Sequence, residues 1–149
     1  MRDGAASFDV LHVASHGDFR PLTPGDSRLM LSAGDGNDGA LTVNEVFSLD
    51  VRADMVTLSA CDSGLGKLSP ADEIIGLNRA FMYAGAETVV SSLWRISDVA
   101  SAVTMKRFYR YLAEGEDKAE AMRHAQAVVR KYFKHPAYWS SFKVSGRVL

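Results

Sequence analysis

Residues 8–15 (FDVLHVAS) carry apolar side chains on both alternating faces. A half-exposed strand would alternate apolar with polar, so this run predicts a parallel strand covered on both sides. Beyond it, the short apolar pieces 28–32 and 40–41 flank Ala33-Gly34-Asp35-Gly36-Asn37-Asp38-Gly39, a concentration of turn formers that predicts a hairpin or long loop. Thr42 and Glu45 stand at capping-box spacing, the hydroxyl able to accept from the third helical amide while the carboxylate reaches back to the cap. A short helix over 43–49 is expected after them. Residues 54–60 (DMVTLSA) predict a second strand ending at Cys61, and Gly64 and Gly66 break the chain directly afterwards.

Over 71–83, Ile74, Ile75, Leu77, Ala80 and Phe81 fall close to a 3.6-residue period and predict a helix that ends at Gly85. Residues 87–94 (ETVVSSLW) predict a third strand. Ser97 or Asp98 can cap the helix that follows, which runs to about Ala113 and stops at Gly115. Asp117 and Glu120 repeat the capping-box spacing and open a last helix to about Phe133, halted by Pro136, before a final strand over 141–146 (SFKVSG). Strands alternating with helices predict an α/β domain, a mostly parallel sheet with helices on both faces. The connection 17–53 is long enough for the crossover that parallel pairing requires.

Composition narrows the function classes. A chain of 149 residues suits one domain, because a chain of this size buries roughly 68–70% of its unfolded surface. With 17 Lys+Arg against 18 Asp+Glu there is no global field for nucleic acid or an anionic membrane. Apolar residues at 47% and charged residues at 23% are ordinary for a folded domain. The single cysteine cannot form an internal disulfide, and Met1-Arg2-Asp3-Gly4 carry no signal-peptide apolar run, so a reducing, cytoplasmic setting is expected. No apolar stretch approaches the length of a membrane span.

Candidate chemistry gathers at two predicted strand ends. His16 and Cys61 each lie just past such an end, within Ser15-His16-Gly17 and Ser59-Ala60-Cys61-Asp62-Ser63-Gly64. In an open parallel sheet, ligands and catalytic groups collect outside the carboxyl ends of the strands, so neighbouring strands would turn both residues to one cleft. A free thiol is only a few per cent thiolate at neutral pH and needs a base, which His16 can supply. Gly17 and Cys61 can also present backbone amides to a carbonyl as an oxyanion hole, since a strand-to-loop turn leaves amides unpaired. A cysteine at a strand end is otherwise a small buried hydrophobe.

The same residues carry a family resemblance. Leu11-His12-Val13-Ala14-Ser15-His16-Gly17, Leu58-Ser59-Ala60-Cys61-Asp62-Ser63-Gly64-Leu65-Gly66, Gly76-Leu77-Asn78-Arg79-Ala80-Phe81, Ala84-Gly85-Ala86, Ser92-Leu93-Trp94 and His135-Pro136-Ala137-Tyr138-Trp139-Ser140-Ser141-Phe142 together resemble the CHAT family. These are caspase- and separase-like cysteine peptidase domains, often attached to tetratricopeptide repeats. The resemblance implies a caspase-like three-layer α/β sandwich and a cysteine endopeptidase, with His16 as general base, Cys61 as nucleophile, and the Gly17 and Cys61 amides as oxyanion donors. It further implies that an acidic residue after the Leu93-Trp94 strand holds a basic substrate residue before the scissile bond; Asp98 is the candidate, its alternative use being a helix cap. The family commonly has Pro where Arg95 stands, and Arg95 can pair with Asp98. Complete domains of the family place further strands before the His strand, which here begins within eight residues of Met1. The chain is therefore expected to be the C-terminal, catalytic part of the family domain, with one edge of the His strand exposed. A homo-oligomer or a separate partner would cover that edge, and a non-catalytic caspase-like interaction module or an inactive fragment is the alternative reading.

Other motifs point elsewhere. His12 alternates with Val10 and Ala14 inside the first strand and reads as a core or supporting histidine. His124 and His135 lack the partners of a metal site, and a calcium loop starting at Asp35 would have Val46 where its glutamate belongs. Gly66-Lys67-Leu68 does not complete a phosphate loop. No cofactor or metal is expected, and protein or peptide is the expected substrate. The basic residues between Lys106 and Lys134 interleave with Glu114, Glu116, Asp117 and Glu120, a solvated face rather than a nucleic-acid site. Phe108, Tyr109, Tyr111 and Leu112 read as helix core, and Trp139 and Phe142 as cover for the sheet edge.

Overall fold

The computed structural model describes residues 9–20, 22–62, 70–94 and 96–149, with the backbone alone at 60–62 and 70–75. The start of the first predicted strand at Phe8, the glycines Gly64 and Gly66, and Arg95 lie outside the described residues. Six strands form one sheet in the order β3-β2-β1-β4-β5-β6. Their ranges are β1 Val10–Asp18, β2 Arg28–Met30, β3 Ala40–Thr42, β4 Met55–Asp62, β5 Thr88–Ser92 and β6 Phe142–Gly146. The helices are α1 Val43–Phe47, α2 Pro70–Tyr83, α3 Asp98–Ala113, α4 Lys118–Tyr132 and α5 Pro136–Trp139.

The fold is the expected caspase-like α/β sandwich, its sheet mixed rather than purely parallel: β1, β4 and β5 run parallel, while β2, β3 and β6 pair antiparallel. The count of returns between strands explains this. One helix, α2, carries the chain back along the sheet between β4 and β5, so these run parallel. Two long helices separate β5 from β6; the chain travels down and back before re-entering, and β6 must run the other way. Between β1 and β4 the chain first folds back as β2 and β3, around a tight turn with Asp35, Gly36 and Gly39 at positive φ.

Helices cover both faces, and each face has its own core. Val13, Leu58 and Val89 pack with Val46, Leu77 and Phe81 on the side of α1 and α2. Met55, Val90 and Phe142 pack with Phe108, Met122 and Ala125 on the side of α3 and α4. All five residues of β5 are buried, as expected of a strand inside such a sandwich. The first strand differs from its expectation. Val13 and Gly17 are buried, but Val10, His12, Ala14 and His16 on the opposite face are exposed, because α3 lies over β4 and β5. Its outer edge is also covered only in part. β2 pairs with His16, Gly17 and Asp18, leaving residues 10–15 with β4 as their one strand neighbour among the described residues. The expected open edge of the His strand is thus closed at its carboxyl end by the hairpin.

Capping follows the sequence pattern unevenly. At α1 both halves of the capping box form, the Glu45 amide donating to Thr42 Oγ1 at 3.2 Å and the Thr42 amide to Glu45 Oε2 at 3.0 Å. At α4 the Asp117 carboxylate caps the Glu120 amide, whereas the Glu120 side chain turns to Arg123. Ser97 is the N-cap of α3 without a side-chain bond, and Asp98 is its first helical residue. Phe142 belongs to β6 itself and is buried. No helix among the described residues is long and apolar enough to cross a membrane.

Replacing Thr42 with Ala removes one half of the α1 cap and is expected to cost about 0.5–2 kcal/mol, read as a lower thermal midpoint that Thr42→Ser restores. An unchanged midpoint in Thr42→Ala would show that the cap carries no stability.

Candidate active site

The parallel pairing of β1 with β4 decides which residues meet. Its register sets His12 beside Thr57, Ala14 beside Ser59, and His16 beside Cys61. Cα atoms matched in this way are about 4.8 Å apart across the sheet, so the two residues proposed from sequence are immediate neighbours at the carboxyl ends of their strands. Both lie within the strands and not past them, since the hairpin extends β1 to Asp18 and β4 continues to Asp62. The Cys61 side chain is outside the described residues; its backbone has the pleat parity of Thr57 and Ser59. His16 is exposed on the face left open by α3.

Gly17 is buried between Leu29 of β2 and Asp62 of β4. A Cβ there would stand 2.8 Å from the Phe19 ring, so glycine lets the ring lie directly against the strand. Two residues after His16, Asp18 accepts from Arg28 at 2.9 Å and from Arg20 at 3.4 Å, tying the hairpin to the end of β1. Asp98 opens α3 just after β5, at the same end of the sheet as His16 and Cys61. It is exposed, with no side-chain hydrogen bond or ion pair to another described residue. Arg95, the cation expected to compete for it, is not among those residues.

Between the open face of β1 and α3 runs a cleft of about 270 Å³, lined by His12, Ala14 and Ser59 from the sheet and by Asp98, Ser101, Ala102 and Met105 from the helix. Its inner end holds a polar network that sequence reasoning missed. Tyr109 Oη lies 2.9 Å from His12 Nδ1 and donates to Thr57 Oγ1 at 2.9 Å, while His12 Nε2 lies 3.3 Å from Ser59 Oγ. The Tyr109 and His12 rings pack with centroids 5.6 Å apart. Partial burial holds the His12 imidazole below its ordinary value of 6.5, favouring the neutral ring, and raises the Tyr109 phenol. Tyr109 sits in an apolar helix pattern 97 residues from His12, so no local signal marks it as polar machinery.

The family model for the CHAT domain matches residues 2–147. This chain belongs to the CHAT domain family. The resemblance read from the His16 and Cys61 segments is therefore correct, and with it the placement in a caspase-like peptidase family. Among curated proteins, this CHAT domain is 35% identical over 108 residues to Tetratricopeptide repeat protein 28 of Homo sapiens and 32% identical over 108 residues to that of Mus musculus. Each match covers 71% of this chain and 4% of the relative. The chain thus spans a small fraction of the length of the curated relatives it matches.

The His12 environment predicts a pH signature. Because the folded ring binds its proton less tightly than the unfolded one, the unfolded state holds more protons as pH falls below 6.5. Stability contributed by this group is complete above that value and is lost as pH falls toward the folded pKa. Imidazole resonances of His12 should titrate below 6.5, and His12→Gln should flatten the corresponding part of a denaturation-versus-pH curve. A midpoint above 6.5 would contradict the burial argument.

Proposed function

We propose that this chain is the catalytic part of a caspase-like CHAT domain, a single domain over residues 1–149 that hydrolyses peptide bonds through a His16–Cys61 dyad. The observation that carries this reading is the pairing of His16 with Cys61 at the carboxyl ends of two parallel strands. In the proposed reaction, His16 takes the thiol proton and Cys61 sulfur attacks the substrate carbonyl. The Gly17 and Cys61 amides receive the oxyanion, His16 returns its proton to the leaving amine, and water releases the acyl group while His16 again accepts a proton. The exposure of His16 supports access for a polypeptide. Asp98, exposed at the same end of the sheet, supports a preference for a basic residue before the scissile bond through a charge-assisted contact. The substrate is a protein or peptide of the cytoplasm, and the reaction as written uses no metal or cofactor.

A second reading is favoured by one feature, the outer side of residues 10–15 in β1, which no strand pairs among the described residues. Such an edge can take an added strand from a second copy or a separate partner, which would make the domain a docking module.

Cys61→Ala and His16→Ala are each expected to abolish cleavage of an arginine- or lysine-containing peptide while leaving the circular dichroism spectrum unchanged. Turnover by Cys61→Ala equal to that of the native protein would overturn the peptidase reading. A thiol-directed peptidyl probe should label Cys61 faster than it labels free cysteine, whereas a docking module would react only on unfolding. Asp98→Asn should lose the preference for basic peptides; an unchanged preference would move that pocket elsewhere.

A further inference from the structure

The cleft between β1 and α3 is smaller than an ordinary small-molecule site and is on the scale of one long side chain. Its volume of about 270 Å³ falls below the roughly 300–1,000 Å³ of ordinary small-molecule sites. The walls are narrow because they are built from Ala14, Ser59, Ser101 and Ala102, none of which projects far. The pleat sets the depth. Ala14 and Ser59 are two residues below His16 and Cys61 in their strands, which at about 3.3 Å per residue is roughly 6–7 Å. A long, unbranched side chain hung from a backbone held beside His16 spans that drop; a short or β-branched one does not.

At this depth the cleft ends in acceptors. The phenol proton of Tyr109 is assigned to Thr57 Oγ1, so the phenol oxygen accepts from His12 Nδ1–H. The second nitrogen, His12 Nε2, is then a lone pair beside Ser59 Oγ. The Ser59 hydroxyl donates to that lone pair at rest, and once it rotates away both atoms can accept from the N–H groups of a guanidinium or ammonium. Tyr109 holds the ring in this orientation from the opposite side.

We infer that His12 and Ser59 are specificity-determining residues that read the far end of the substrate side chain, selecting one that is long and ends in N–H donors, and that Tyr109 is the positioning residue for His12. This rests on the proposed peptidase reading, and it extends selection from Asp98 to the floor of the cleft. It also gives the Tyr109 hydroxyl a use in an otherwise apolar helix face.

The test compares two peptides that differ only before the scissile bond, one with arginine and one with norleucine, which has a similar stem but no donors. The native protein is expected to favour arginine. His12→Leu should reduce that preference by about tenfold, through KM with kcat held, as expected for loss of a charge-assisted acceptor. His12→Gln, which keeps an acceptor, should retain most of it, and Tyr109→Phe should lower it in protein still folded at the assay temperature, with a reduced thermal midpoint because the buried Thr57 hydroxyl loses this partner. An arginine-to-norleucine ratio unchanged in His12→Leu overturns the inference and leaves the peptidase reading intact. If the native protein cleaves neither peptide, the peptidase reading falls, and imidazole NMR with n-butylguanidinium chloride decides the remainder. A saturable shift of His12 that is lost in Ser59→Ala supports a side-chain site at the cleft floor, and no shift overturns it.

Discussion

The register between β1 and β4 is the constraint on which the remainder of the site depends. These two strands are separated by the whole hairpin and α1, yet they align residue for residue from Val10 beside Met55 to Gly17 beside Asp62. A slip of one residue would reverse every side chain across the sheet, moving Val13 out of its core and separating the His12, Ala14 and His16 rows from Thr57, Ser59 and Cys61. The buried face prevents this, because Val13 and Leu58 pack together against α1 and α2. Hydrophobic packing on one face therefore sets the polar pairing on the other.

The same sheet leaves its chemistry accessible by being unevenly covered. On the α1 and α2 side the core continues from β1 to β5, whereas on the other side α3 and α4 cover β5 and β4 and stop short of β1. His16 is exposed for that reason, and the cleft exists because a helix runs along the strand without lying over it. The hairpin contributes at the other edge, where Asp18 and Arg28 hold the end of β1 in the sheet. His16 is thus an exposed residue on a strand paired on both sides, a rigid support of the kind the proposed general base needs.

A polar cluster within this arrangement carries a cost unless each member is satisfied. Thr57 is fully buried and Tyr109 lies against the core, so an unpaired hydroxyl there would be expensive. The bond between them answers both needs, and His12 extends the network from the core into the cleft. Lys118 shows the same logic at the opposite end of the sheet, where its buried ammonium donates to Asp54 at 2.7 Å and anchors the start of α4.

Local pattern determined most of the elements of this protein. The turn formers between 33 and 39, the Thr42–Glu45 cap, the apolar period through Leu77 and Phe81, and the β-branched run Thr88-Val89-Val90 that opens β5 each encode their structure within a few residues, and the His16 and Cys61 segments carry the family. Properties that depend on residues distant in the chain were decided only by tertiary structure. Whether β6 ran parallel depended on two helices pairing as a unit, and whether β1 was covered on both faces depended on where α3 settled. The pairing of Tyr109 with His12 needed strand and helix to be in place, since an apolar helix period gives a tyrosine no reason to be read as a hydrogen-bonding group. Periodicity reports which side of an element is buried; it does not report what lies on the other side of the contact.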